Sequence, residues 1–145
     1  ARIKIHQFTK NKIGFHEWIF NQYDLSEFEK NNSEIKVLDI GCGTGVFWKK
    51  NIDNFKKYKL DITFTDATSA MVDKEKANTV DIKAKKTFEI ADIDNLEKYK
   101  NQFDIVFCHN VISLSMILSI ITNNTTRNRI CQALFCCNFV TLIIV

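Results

Sequence analysis

Three glycines and an aspartate carry the clearest chemical pattern in this chain. Residues 37–45 read Val-Leu-Asp-Ile-Gly-Cys-Gly-Thr-Gly. An apolar run stops at Gly41, and Gly41-x-Gly43-x-Gly45 leads into residues of helical spacing. Glycine lets backbone approach a ligand without Cβ clashes. A helix start beyond it offers N–H groups with no partner inside the helix. Asp66 closes the next apolar run, 21 positions after Gly45. A carboxylate there can accept hydrogen bonds from both hydroxyls of a ribose. Glycines between a strand and a helix, with an acid at the next strand end, point to a nucleoside-containing cofactor. The spacing is one residue tighter than the G-x-G-x-x-G of dinucleotide sites, which opposes a nicotinamide cofactor. Asp39, just before the glycines, can both support the turn and contact the cofactor.

Alternating elements must position these residues. Phe15, Trp18, Ile19 and Tyr23 recur at helical spacing, so Phe15–Tyr23 predicts an amphipathic helix. Glu27–Lys36 is charged and reads as a surface link. Ile35–Ile40 is a short apolar run, the pattern of a buried parallel strand. Thr44–Lys57 reads as one helix and Leu60–Thr65 as an alternating strand. Ser69–Lys76 predicts a helix, Thr87–Ile90 and Phe103–Phe107 two further strands, and Asn95–Lys100 a polar helical turn between them. Asp104 reads as a tie at the start of its strand. The order predicts an α/β sheet covered on both faces.

With these motifs the sequence resembles the class I methyltransferases that use S-adenosylmethionine. Val37–Gly45 has the form of their first motif. Asp66-Ala67-Thr68-Ser69-Ala70-Met71 is similar to the second, where an acid holds the ribose and a hydrophobic residue flanks the adenine. Ala91-Asp92-Ile93 resembles the third, where an aspartate reads the adenine amino group. Phe103–Phe107 resembles the fourth strand, after which pocket residues follow. The resemblance runs in order from Ile35 to Val111. Thr9–Tyr23 is similar, less specifically, to the lid helix of small bacterial members. It implies a Rossmann-like three-layer sandwich with a mostly parallel sheet. It implies cofactor contacts from Asp39, Gly41, Cys42, Gly43, Gly45, Asp66, Ala67, Met71, Asp92 and Ile93. His109 and Asn110 fall where the family has pocket residues, and His109 could take a proton. His6 and His16 precede the core and read as lid or surface residues.

Composition divides the chain near residue 110. All 17 acidic residues precede it, and beyond it stand only two charges, Arg127 and Arg129. The division expected is a lid segment 1–34, a cofactor-binding core 35–110 and an apolar tail 111–145. In the family the fourth strand leads through a helix and a Pro-Gly turn to further strands. This chain has no proline and no glycine after Gly45, so the C-terminal part of the sheet is expected to be incomplete. Val111–Thr122 and Ile130–Val145 are both shorter than the roughly 20 residues of a membrane-spanning helix. The tail reads as a membrane anchor, a partial fold replacement that adds one strand, or a shifted reading frame. The joint loss of acids and glycine favours the last.

The net charge of +3 does not imply nucleic acid. Five cysteines without a CxxC pair read as free thiols in a reducing compartment, with no metal site. No signal-peptide run is visible at the start, and Ala1 in place of Met reads as a trimmed chain or a fragment. The expected protein is a cytoplasmic methyltransferase using S-adenosylmethionine on a small-molecule acceptor. It is expected to have no nucleic-acid partner and no membrane partner unless through the tail. Two alternatives stand beside it: a non-catalytic remnant that keeps cofactor binding, and a nicotinamide-dependent oxidoreductase.

Overall fold

The computed structural model describes residues 13–92, 97–100, 102–109, 131–136 and 139–144. Helices α1 (Phe15–Phe20) and α2 (Ser26–Asn31) precede strand β1 (Glu34–Ile40). Helices α3 (Val46–Lys50) and α4 (Ile52–Phe55) lead to β2 (Lys59–Asp66), and α5 (Ser69–Asn78) leads to β3 (Lys85–Ile90). A 3₁₀ turn at Glu97–Tyr99 precedes β4 (Ile105–His109), and β5 (Cys131–Cys136) and β6 (Phe139–Ile144) follow.

These strands form one sheet in the order β3-β2-β1-β4-β6-β5. The pairs β1–β2, β2–β3 and β1–β4 are parallel. Val37, Leu38, Asp39 and Ile40 are all buried, as a parallel strand covered on both faces requires. The expected α/β Rossmann-like class is the observed one. The chain steps outward from β1 to β2 and β3, then returns to β4 on the other side. The C-terminal ends of β1 and β4 therefore flank the point where strand order reverses, the place where such sheets bind ligands.

The incomplete C-terminal part takes a definite form. The reading in which the tail adds strand structure gives it one strand, and there are two. β6 pairs antiparallel with β4, and β5 pairs antiparallel with β6. Only two residues separate β5 from β6, a hairpin spacing that lets one apolar run supply both strands. Val111–Thr122 and Asn95 lie outside the described residues.

Two other expectations give way to local chemistry. The charged stretch from Glu27 is a helix rather than a link. Asp24 Oδ1 accepts a hydrogen bond from the Ser26 N–H at 3.0 Å at its start. It ends at Asn32, whose left-handed φ of 44° stops it. The single helix expected over Thr44–Lys57 is two, broken at Asn51. The Asn51 side-chain amide donates to the Phe47 and His16 carbonyls, at 2.9 and 3.0 Å. Such local bonding competes with helix continuation, and here it also fastens α1 to α3.

An aromatic core lies under α3. Trp48, fully buried, stacks on Phe55 with centroids 4.4 Å apart, and its edge meets Phe64 and Phe107. Ile19 and Leu25 from the N-terminal segment join the same cluster. Asp104 does tie the start of β4: its carboxylate accepts from the Lys36 N–H at 2.9 Å, and its own N–H donates to the Lys36 carbonyl.

Trp48 also donates its indole N–H to Asp39 Oδ2 at 2.6 Å, in the interior. Trp48→Phe keeps an aromatic ring but takes the donor from a buried carboxylate. The expected loss of stability is about 2–4 kcal/mol, combining the stranded acceptor with lost ring volume. Urea unfolding measures it; a loss under about 0.5 kcal/mol, the level of ordinary surface changes, would show that this bond holds nothing.

Candidate functional site

Register brings the site residues to one edge. Ile40, the last residue of β1, pairs with Thr65 and with Cys108, and Asp66 pairs with Ile90. Gly41, Asp66, Ile90 and His109 therefore stand one step beyond that level, in a row across the C-terminal edge of the parallel strands.

The loop after β1 is built from left-handed turns. Gly41, Gly43 and Gly45 have φ of 66°, 63° and 71°, a region costly for residues with a Cβ. The Cys42 N–H donates to the Thr65 carbonyl at 3.0 Å, which ties the loop to the end of β2. The Gly45 carbonyl takes the Lys49 N–H at 3.0 Å and begins α3.

Asp66 joins the loop to the next element. Its Oδ2 accepts from the Gly43 N–H at 3.1 Å. Its Oδ1 accepts from the Thr68 N–H and hydroxyl, at 3.0 and 3.1 Å. Its backbone carbonyl accepts from the Ala91 N–H at 3.0 Å, which holds the end of β3 beside it. The carboxylate is half-buried, so it keeps a face toward solvent. A Cβ built on Gly43 would meet nothing nearer than the Gly41 carbonyl, 3.9 Å away. The space over the loop is thus open backbone surface beside a carboxylate. That is a fitting cradle for a ribose-bearing cofactor, with Gly43 and Asp66 as its named parts.

The other residues singled out by the sequence take different places. Asp39 is fully buried under the loop, bonded to Trp48. Cys42 is buried, and that burial, with Asp39, Glu75 and Asp66 nearby, pushes its thiol strongly upward. Cys108 is pushed up to about 12 by burial and then by Asp39. Both thiols stay protonated at neutral pH, which fits packing rather than nucleophilic attack. Ala67 is exposed and Met71 half-buried at the start of α5, and Asp92 is exposed beyond β3. His109 ends β4. The His16 ring lies against Phe47 and Phe15, at centroid distances of 6.5 and 5.6 Å. Ile93, Asn110 and His6 lie outside the described residues. Among the described residues no group of three or more His, Cys, Asp or Glu could hold a metal, and no helix is long and apolar enough to cross a membrane.

The sequence reading passed over Glu75. It shares one face of α5 with Val72, in line with Thr79 at the helix's C-terminal cap, and all three are buried. The carboxyl is fully buried and has no hydrogen-bond partner among the described residues. A Cβ at Gly45 would stand 2.3 Å from its Oε2, so the glycine makes room for it. Burial, then Asp39 and Asp66, push its carboxyl up to about 9. The signal in the sequence was the spacing: three and seven residues from Val72 fall Glu75 and Thr79, on the inward face.

Comparison with known proteins places this geometry. The methyltransferase domain family matches residues 37–124, more than half of the chain. Two malonyl-[acyl-carrier protein] O-methyltransferases of Ilyobacter polytropus are similar in sequence. The first is 30% identical over 77 residues, covering 53% of this chain and 27% of that protein. The second is 27% identical over 105 residues, covering 69% and 39%. The chain therefore spans well under half the length of either relative. Among solved structures, the CurJ carbon methyltransferase superposes with a TM-score of 0.52 at 21% identity, covering 62% of this chain and 26% of that one. The DszA carbon methyltransferase gives 0.50 at 22%, with the same coverage. These two show the shared fold. The glycine loop, Asp66 and strands β2, β3 and β4 all fall inside the matched region, and the chain belongs to the methyltransferase domain family.

Proposed function

We propose that this chain binds S-adenosylmethionine at the C-terminal edge of its sheet and serves methyl transfer to a small-molecule acceptor. One observation carries the reading. Asp66 holds the Gly43 N–H of a left-handed glycine loop where strand order reverses. Asp66 is the residue to hold the ribose hydroxyls. Gly41, Gly43 and Gly45 let the backbone come close, with Cys42 filling the space behind. Ala67 and Met71 border the adenine, and Asp92 and Ile93 read its edge. Asp39 acts from beneath, by fixing the loop. When bound, S-adenosylmethionine supplies a methyl already activated on a sulfonium.

The chain itself then has to align the acceptor and exclude water, which is catalysis by orientation. His109 and Asn110 are the pocket candidates, with His109 at the end of β4. Residues 35–110 form the binding core, 1–34 a lid segment and 111–145 an apolar tail that joins the same sheet through β6. The buried thiols support a reducing compartment, and the cytoplasm is the location proposed. The names of the curated relatives support an acceptor carried as an acyl group.

A second reading is favoured by β6. It lies antiparallel directly against β4, on the side where the acceptor pocket would continue. Binding without efficient transfer is then expected of residues 1–145 alone. Formation of the demethylated cofactor from a panel of small acceptors measures this. Turnover at an ordinary enzyme rate of about 1 per second or faster would rule this reading out.

Calorimetric titration tests the binding. S-adenosylmethionine should bind more tightly than nicotinamide dinucleotides. Asp66→Ala should weaken it by about 1–3 kcal/mol, the scale of charge-assisted hydrogen bonds lost. Gly43→Val should weaken it further, because a φ of 63° strains any residue with a Cβ and the branched side chain would fill the open space proposed for the cofactor. Parent-like binding by either variant, or preference for a nicotinamide dinucleotide, would overturn the assignment.

A further inference from the structure

Glu75 is a carboxyl that the reading above does not use. It is fully buried, neither oxygen has a hydrogen-bond partner among the described residues, and it packs against the third glycine of the cofactor loop. A buried ionised carboxylate without a donor is costly, so such a group holds its proton instead. The charged groups facing it all share its sign. Asp39 comes from β1 and Asp66 from the end of β2, and both raise its affinity for the proton. Cys42, in the loop, is protonated. Three lysines on the packed elements have partners of their own, and Lys50 of α3 and Lys59 of β2 are exposed. Lys49 of α3 donates to Asn78 Oδ1 at 3.1 Å. Lys86 of β3 donates to the Thr79 carbonyl at 2.8 Å, and Lys76 of α5 itself sits over the Phe88 ring. Asp73 and Lys74 of α5 are exposed.

We propose that Glu75 makes capture of the sulfonium cofactor proton-linked: its carboxyl holds a proton in the free chain and releases it when a cation is seated on the loop. This rests on the cofactor reading above. The physical reason is charge balance in a dry place. Asp39 and Asp66 are close enough for Glu75 to feel them, and a positive charge added beside Asp66 favours ionisation of Glu75. The carboxyl O–H of Glu75 breaks, the electron pair stays on its oxygen, and the proton passes to solvent. The demethylated product lacks the sulfonium charge, so it should draw off less of this proton. Glu75 is thereby a positioning residue that tilts the loop toward charged cofactor and away from neutral-sulfur product.

The free chain already gives one test. A raised native value means that the native state binds a proton which the unfolded chain gives up above about pH 4.5. Native stability should then fall as pH rises from about 5 to 9. Glu75→Gln keeps the shape and cannot ionise, so its melting temperature should exceed the parent's by a margin that widens with pH. Parallel melting curves across that range would overturn the proposal. The second test is titration with S-adenosylmethionine and with S-adenosylhomocysteine, each in two buffers of different ionisation enthalpy. Between pH 6 and 9 the parent's affinity for the methylated cofactor should rise roughly three- to tenfold more than that of Glu75→Gln, the scale of one partly screened charge pair. The parent should also release more protons than the variant, and more with the methylated cofactor than with the product. Binding with equal proton release in parent and variant would sink this inference alone. Failure of either cofactor to bind the parent would remove the proposed function itself, while the melting curves still report on Glu75.

Discussion

A hydrogen bond in the core, Trp48 Nε1 to Asp39 Oδ2 at 2.6 Å, sets the shape of everything above it. Asp39 is the last but one residue of β1, and Trp48 lies in the first turn of α3. The bond closes the excursion between them, and the glycine loop is that excursion. Asp39 is fixed from the sheet side as well, since its carbonyl accepts the Thr65 hydroxyl at 3.1 Å. Trp48 is fixed by the rings of Phe55, Phe64 and Phe107. Both ends of the loop are thus anchored in close-packed interior. A loop with three left-handed residues would otherwise sample many conformations, because glycine loses more freedom on ordering than other residues. The closure makes the cradle a fixed surface rather than an average.

The same anchoring concentrates negative charge. Asp39 and Glu75 lie beneath the loop, and Asp66 lies at its side. Only Asp66 among them keeps a face toward solvent. The surface charge of the chain is different in kind. Pairs such as Lys57–Glu29 and Lys98–Glu89 are largely exposed and contribute little each. Most lysines among the described residues are exposed. The acids near the loop differ from those surface pairs because Asp39 and Glu75 are buried, where charges are felt strongly.

What could be read from the sequence follows from how local its cause is. The loop was legible because left-handed backbone demands glycine, and three glycines after an apolar run leave few other readings. β1 was legible because a strand buried on both faces needs a continuous apolar run. Asp66 was legible by position, at the end of the next strand. The break at Asn51 was not, because it depends on the His16 carbonyl, 35 residues away in sequence. The helix at Ser26–Asn31 was missed because its charged surface hides one inward face, marked only by Leu25 and Phe28. Glu75 was passed over because a glutamate on a lysine-rich helix normally faces water. Only the spacing from Val72 to Thr79 marked it as inward.

The C-terminal hairpin bears on the outer edge of β4 rather than on the glycine loop. β4 pairs through Val37–Ile40 with β1, and that pairing needs nothing beyond residue 109. On its other edge β4 is an open row of donors and acceptors until β6 takes it. β6 runs the opposite way, so His109 pairs with Phe139 and Cys136 with Phe139 in turn. β5 therefore ends, and β6 begins, at the same edge of the sheet as the glycine loop. A parallel strand in that position would have ended there and sent its following loop over the site. An antiparallel one begins there and carries the chain away from it. β1, β2 and β4 already fix Gly41, Asp66 and His109 in one row, and that row needs no pairing from the hairpin. β4 is thus the strand at which parallel pairing gives way to antiparallel pairing.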